Sequence, residues 1–125
     1  MNVMVVDDNA FVRSMVINIL SLPDSRFYEC TNGEEAIKCF AKNKPDLVLM
    51  DIEMNKIDGI TAAKEILRDF PGANIIILTQ YDDNFLRDAA FKSGVKGYFL
   101  KDNLVLLRGF INQQISSKKI NLKQR

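Results

Sequence analysis

Histidine is missing from this 125-residue chain, and cysteine and proline are scarce, at two and three residues. The absence of histidine removes the usual proton shuttle, the commonest zinc ligand and any phosphohistidine carrier. Chemistry here must therefore run on carboxylates, hydroxyls and lysines. Cys30 and Cys39 lie nine residues apart, and with no secretory leader in view they are expected to be two free, inert thiols. No stretch approaches the roughly 18 apolar residues that span a bilayer. No basic region precedes the first apolar run, so a signal peptide is not expected and a cytoplasmic location is. An excess of one charge sign is also lacking: the net charge of +1 gives no global field toward nucleic acid or membrane. What remains, 47% hydrophobic and 26% charged residues, is the composition of an ordinary globular protein, and the length fits one domain with a real core.

The organising stretch is Leu47-Val48-Leu49-Met50-Asp51, a wholly apolar run closed by one carboxylate. Such a run just after Pro45-Asp46 reads as a strand buried on both faces. Val3 to Val6 is a similar strand ending at Asp7-Asp8, after which Asn9 opens a helix with Val12, Met15, Val16 and Ile19 on its inner stripe. Arg26 to Cys30 is a weaker strand, and Glu34 to Asn43 a helix with Ala36, Ile37 and Phe40 inward. Asp58 can cap a helix whose Ala63, Ile66, Leu67 and Phe70 share a face, stopped by Pro71-Gly72. Asn74 to Thr79 contains a triple isoleucine and reads as a fourth strand. Asp82 to Ser93 reads as a helix with Gly94 in the left-handed cap position. Tyr98 to Leu100 is a fifth strand ended by Lys101, and a last helix near Asn103 to Ser116 turns Leu104, Leu107 and Ile111 to one side. Strands alternating with helices specify a parallel sheet with right-handed crossovers, an α/β doubly wound domain. There are no internal repeats.

Four strands end in functional side chains: Asp7 and Asp8, Asp51, Thr79, and Lys101. Taken singly, each has a plain explanation as a helix cap, a turn former or a solvated amine. In a parallel sheet, however, all these ends meet at one edge, where open α/β folds keep their sites. Two like charges 4 Å apart at an effective dielectric of ~20 repel by about 4 kcal/mol, so three carboxylates in one pocket need a cation or must take up protons. All-oxygen ligands select a hard ion, for which Mg²⁺ is the best fit, and Lys101 adds a further positive charge. Such a pocket suits phosphoryl transfer, which depends on positioning and on neutralising the equatorial oxygens. Asp51 is the candidate nucleophile, with Thr79 able to donate a hydrogen bond to a phosphoryl oxygen.

Val5-Val6-Asp7-Asp8-Asn9, Pro45 through Asp51, Asp58-Gly59, Ile77-Leu78-Thr79 and Gly97-Tyr98-Phe99-Leu100-Lys101 together resemble, in order and spacing, the receiver domain of two-component response regulators. The similarity runs from about residue 2 to residue 116, which makes 1–116 the receiver domain and 117–125 a basic tail or the start of a linker. The resemblance implies a flavodoxin-like (βα)5 fold with a five-stranded parallel sheet in the order 2-1-3-4-5, an order for which a member of this family is itself the standard illustration. It implies that Asp51 is the phosphoacceptor, served by a sensor histidine kinase or a histidine phosphotransfer protein. Asp8 and Asp51 would bind Mg²⁺ directly, Asp7 through water, and the backbone carbonyl of Glu53 would complete the protein ligands. Lys101 matches the phosphate-contacting lysine. Thr79 and Tyr98 match a switch pair in which the hydroxyl moves toward the phosphoryl group and the ring turns inward. The output surface, and a possible homodimer contact, would be the fourth helix, fifth strand and fifth helix. Such a domain is not an enzyme toward other substrates, since it catalyses only its own phosphorylation and dephosphorylation.

There are departures from the family pattern. Asn55 stands where a proline is usual, which points to a less rigid loop after Asp51. Asp102 follows Lys101 where many members carry a cis proline, and because a non-proline cis bond costs roughly 2.5–4 kcal/mol a trans peptide is expected. Glu53 and Gln80 occupy variable positions thought to tune phosphoryl lifetime. Gly97 to Asp102 is similar to receivers that precede helix-turn-helix transcription outputs. No such domain follows in this chain, so a stand-alone receiver or a piece ending at its linker is expected. Lys118, Lys119, Lys123 and Arg125 read as a solvated tail rather than a DNA contact. Three other functions compete. A haloacid-dehalogenase-like phosphatase needs an aspartate two positions after the nucleophile, where Glu53 stands. A phosphorylation-independent interaction domain would not need the complete set of acids, hydroxyl and lysine. A flavin site would suffer repulsion between its phosphate and the acids.

Overall fold

The computed structural model describes the backbone of residues 1–123 and the side chains of residues 1–117, so the side chains of Lys118, Lys119, Lys123 and Arg125 lie outside the described residues. β1 (Asn2–Val6), β2 (Arg26–Cys30), β3 (Leu47–Met50), β4 (Ile75–Thr79) and β5 (Gly97–Leu100) form one parallel sheet in the order β2-β1-β3-β4-β5. The flavodoxin-like order is thus the observed one. Val6 lies beside both Cys30 and Met50, Met50 beside Ile77, and Thr79 beside Leu100. The carboxyl ends of all five strands therefore line up along one edge.

Alternate strand residues serve opposite faces. Val3, Val5, Leu47, Leu49, Ile76 and Leu78 pack with Val16 and Leu20 of α1 (Ala10–Leu20) and with Leu104, Leu107 and Ile111 of α5 (Leu104–Lys123). Met4, Val6, Val48, Met50, Ile75 and Ile77 pack on the other face with Ala36 and Phe40 of α2 (Gly33–Asn43), Ala63 and Ile66 of α3 (Gly59–Asp69), and Ala90 of α4 (Asn84–Ser93). This two-sided burial is why the central strands read as unbroken apolar runs. The first four helices start on side-chain caps: Asn9 accepts from the Phe11 and Val12 amides, Asn32 from Glu35, Asp58 from Thr61 and Asp83 from Leu86. Gly94 ends α4 with φ of 104°, a left-handed conformation in which a side chain would be strained.

Two expectations shift. Met15, expected on the inner stripe of α1, is 39% exposed, because burial of Val16 and Leu20 rotates the stripe and leaves position 15 at its rim. The last helix does not stop near Ser116 but continues to Lys123. No glycine or proline follows Gly109 to end it. The peptide bonds of the described residues are trans, that before Asp102 included. Cys30 and Cys39 are free thiols, and burial together with the neighbouring Cys39 pushes the Cys30 thiol up to about 12. No helix among the described residues is long and apolar enough to cross a membrane.

Leu107 is fully buried whereas Met15 sits at the rim. Leu107→Ala should cost about 2–5 kcal/mol in urea unfolding and Met15→Ala under about 1 kcal/mol. Equal losses would contradict the assigned core.

Candidate functional site

β1 and β3 are neighbours in the sheet, and the chain leaves β1 toward β2 on one side and β3 toward β4 on the other, which opens a crevice at their carboxyl ends. Asp7 follows β1 and Asp51 follows β3, and the pairing of Val6 with Met50 brings the two acids abreast. Their backbones continue the ladder for one more bond each: the Asp7 amide donates to the Cys30 carbonyl (3.0 Å) and the Asp51 amide to that of Val6 (2.9 Å). Lys101 follows β5, its amide donating to the Thr79 carbonyl at 2.8 Å. Asp7, Asp8, Asn9, Val12, Asp51, Glu53, Gln80 and Lys101 line a cavity of about 290 Å³ at this edge.

One amine holds the acids. Lys101 Nζ lies 2.7 Å from Asp7 Oδ2 and 3.3 Å from Asp51 Oδ2. Asp7 is buried and its other oxygen accepts from the Asn9 amide at 2.9 Å. Asp51 is buried too, accepting from the Ile52 amide at 2.9 Å. Burial raises the Asp51 carboxyl from 3.8 to about 6, with the charge of Asp7 adding to the rise and the Lys101 amine opposing it. Burial works against the charge on Lys101, but the hydrogen bond and charge of Asp7 and the charge of Asp51 outweigh it and the amine's pKa is raised. Carboxylate oxygens of Asp7, Asp8 and Asp51 all lie within 4.8 Å of one another, an arrangement that can hold a metal ion.

The remaining expected residues are placed differently. Thr79 is fully buried but stands outside the cavity lining, its Oγ1 accepting from the Tyr81 amide at 3.2 Å. The Tyr98 ring is buried, its hydroxyl donating to the Tyr81 carbonyl at 2.6 Å and the Arg87 guanidinium lying 4.5 Å from the ring centroid. Glu53 is part of the cavity lining, and its carboxylate accepts from the Tyr81 hydroxyl. Tyr81 therefore touches Thr79, Tyr98 and Glu53 at once, a role that sequence reasoning missed because residue 81 lies past the strand in an irregular turn. Asn9, the helix start, and Val12, on the apolar stripe, both also line the cavity. The Asn9–Val12 spacing from Asp8 was the available signal, since the first turn of a helix following a strand end must border the same edge.

The loop after Asp51 is closed by a backbone hydrogen bond between its ends. The Gly59 amide donates to the Ile52 carbonyl at 2.9 Å, and a Cβ at Gly59 would lie only 1.9 Å from the Asp51 carbonyl oxygen. Glycine at 59 is thus required for α3 to start this close to the acid. A Cβ at Gly33 would likewise meet the Ile57 carbonyl at 2.6 Å, and Lys56 pairs with Glu34 of α2 at 3.6 Å.

An open parallel α/β domain whose topological switch point gathers three acids and a lysine is the class that fold and site define. The profile of the response regulator receiver domain matches residues 3–108, and the chain belongs to that family. It is 38% identical over 104 residues to the uncharacterized transcriptional regulatory protein YhcZ of Bacillus subtilis, covering 82% of this chain and 49% of that protein, so it spans about half that relative's length. It is 38% identical over 100 residues to the chemotaxis protein CheY of Thermotoga maritima, covering 79% of this chain and 83% of CheY. A chain of the CheX–CheY–BeF3–Mg²⁺ complex from Borrelia burgdorferi superposes with a TM-score of 0.78 at 26% identity, over 86% of this chain and 85% of that one.

A carboxyl whose pKa is raised on folding holds its proton in the native state where the unfolded chain has lost it. Stability therefore falls as pH rises from about 4 to about 6 and stays lower above that. At roughly 1.36 kcal/mol per pH unit the full effect is about 3 kcal/mol at most. Metal-free Asp51→Asn should be more stable than the parent by about 1–3 kcal/mol at pH 7.5, with the gap closing near pH 4. Urea unfolding at the two pH values measures this, and a gap independent of pH would refute the assignment.

Proposed function

We propose that this receiver domain accepts a phosphoryl group on Asp51 from a sensor histidine kinase or a histidine phosphotransfer protein, with Mg²⁺ bound in the acid cluster. The observation that carries this reading is the contact of the single Lys101 amine with both Asp7 and Asp51 beside the Asp8 carboxylate. Three ionised acids and one ammonium leave two negative charges, which one divalent ion balances. Hard oxygen donors suit Mg²⁺, with Asp8 and Asp51 as direct ligands, Asp7 acting through water and the Glu53 carbonyl completing the set. When bound, the ion supplies positive charge to the phosphoryl oxygens.

The chain's own residues do the rest. An Asp51 oxygen forms the bond to phosphorus as the phosphorus–nitrogen bond to the donor's histidine breaks, and the imidazole leaves with the electron pair. Lys101, already 3.3 Å from Asp51 Oδ2, is placed to neutralise a phosphoryl oxygen. The Thr79 hydroxyl supplies a hydrogen bond to another oxygen. Because the Thr79 side chain and the Tyr98 hydroxyl bind the amide and carbonyl of the same residue, Tyr81, movement of one displaces the partner of the other. Phosphorylation thus biases a two-state switch by adding charge at Asp51. Phe85 and Phe91 of α4 and Val105 and Leu106 of α5 are exposed apolar side chains, which supports α4, β5 and α5 as the output face for a target or a second copy. As part of a longer regulator, the output is transcription, in keeping with the relative in Bacillus subtilis.

Incubation with acetyl phosphate and Mg²⁺ should add one phosphoryl group by intact mass, and chelation of the metal or Asp51→Asn should abolish the addition. Full labelling of Asp51→Asn would overturn the assignment. Amide NMR shifts that ignore both Mg²⁺ and a phosphoryl mimic would favour a phosphorylation-independent interaction domain instead.

A further inference from the structure

Arg13 lies off the apolar stripe of α1, yet its side chain is only 12% exposed. Its Nη1 donates to the backbone carbonyl of Asp7 at 2.6 Å, and its Nε donates to Glu29 Oε1 on β2 at 2.9 Å. The sheet ladder ends at Asp7, just past β1, whose amide donates to Cys30 at the end of β2. Its carbonyl, at the start of the acid turn, would otherwise need water. Arg13 supplies that donor. The same guanidinium is anchored from the far side by a carboxylate one residue before Cys30, whose carbonyl takes the Asp7 amide. Both backbone polar groups of Asp7, its N–H and its C=O, are thus tied to the end of β2, one directly and one through Arg13.

We infer that Arg13 is a positioning residue for the acid cluster: by bridging the Asp7 carbonyl and Glu29 it fixes the turn that presents the Asp7 and Asp8 carboxylates, and so sets the cavity's affinity for a divalent cation. The inference rests on the reading of that cluster as a Mg²⁺ site. A planar fork with two separated donors fits this task, and a compact ammonium, whose donors share one nitrogen and reach only acceptors that lie close together, fits it less well. Groups that orient a metal's ligands typically alter affinity by about 10–100-fold when removed.

The test is a Mg²⁺ titration of the full chain followed by amide NMR, with melting temperature measured separately. Arg13→Gln should raise the Mg²⁺ Kd about tenfold or more, Arg13→Lys should fall between it and the parent, and Glu29→Gln should raise it less. Should Arg13→Gln fail to fold, Glu29→Gln carries the test, since its carboxylate is half exposed. A role confined to joining α1 to β2 would lower the melting temperature and leave the Kd within about twofold of the parent, which overturns the inference. A parent chain that takes no Mg²⁺ overturns the reading of the site instead. In that event the metal-free amide signals of Asp8 and Asn9 decide, because they must move in Arg13→Gln if Arg13 holds the turn.

Discussion

Like charges held close together at the edge of a buried sheet are the constraint from which the rest of this domain follows. Asp7 and Asp51 are brought abreast by the pairing of β1 with β3, and both are buried. At an effective dielectric near 20 each such approach costs a few kcal/mol. The Lys101 amine meets both acids, so the end of β5 must reach back across the crevice. Even so, burial dominates and the Asp51 carboxyl stays raised. Three carboxylates share one amine there, an excess of negative charge that favours a dication.

The surroundings are arranged around that shortage. Backbone groups rather than side chains hold most of the frame: the Asp51 amide continues the β1 ladder, and Gly59 lets α3 begin against the Asp51 carbonyl. Tyr81 adds a polar hub on the other side, sharing contacts with Thr79, Tyr98 and Glu53. Arg87 packs over the Tyr98 ring from α4. Contacts thereby run from Glu53 in the cavity lining through Tyr81 and Tyr98 to the helix that carries Phe85 and Phe91 at the surface.

Much of the fold was legible because the physical signals were local. Apolar runs with period-free burial identified β1, β3 and β4, and caps such as Asn9, Asp58 and Gly94 marked helix ends. Asp7, Asp8, Asp51 and Lys101 could be named because a parallel sheet forces strand ends together whatever the loops do. The rim position of Met15 and the continuation of α5 past Ser116 were not legible, since neighbouring stripes and absent stop signals leave both choices open until packing is known.

By itself the sequence determined the element order, the two-faced core and the identity of the acids and amine, since these depend on hydrophobic period and residue type. Only the tertiary structure decided which groups touch. It turned the Thr79 hydroxyl toward the Tyr81 amide, made Tyr81 a junction, and sent Arg13 to the Asp7 carbonyl. Those contacts join residues on different elements, and their geometry is set by how the strands and helices register against one another, a property that no local pattern encodes.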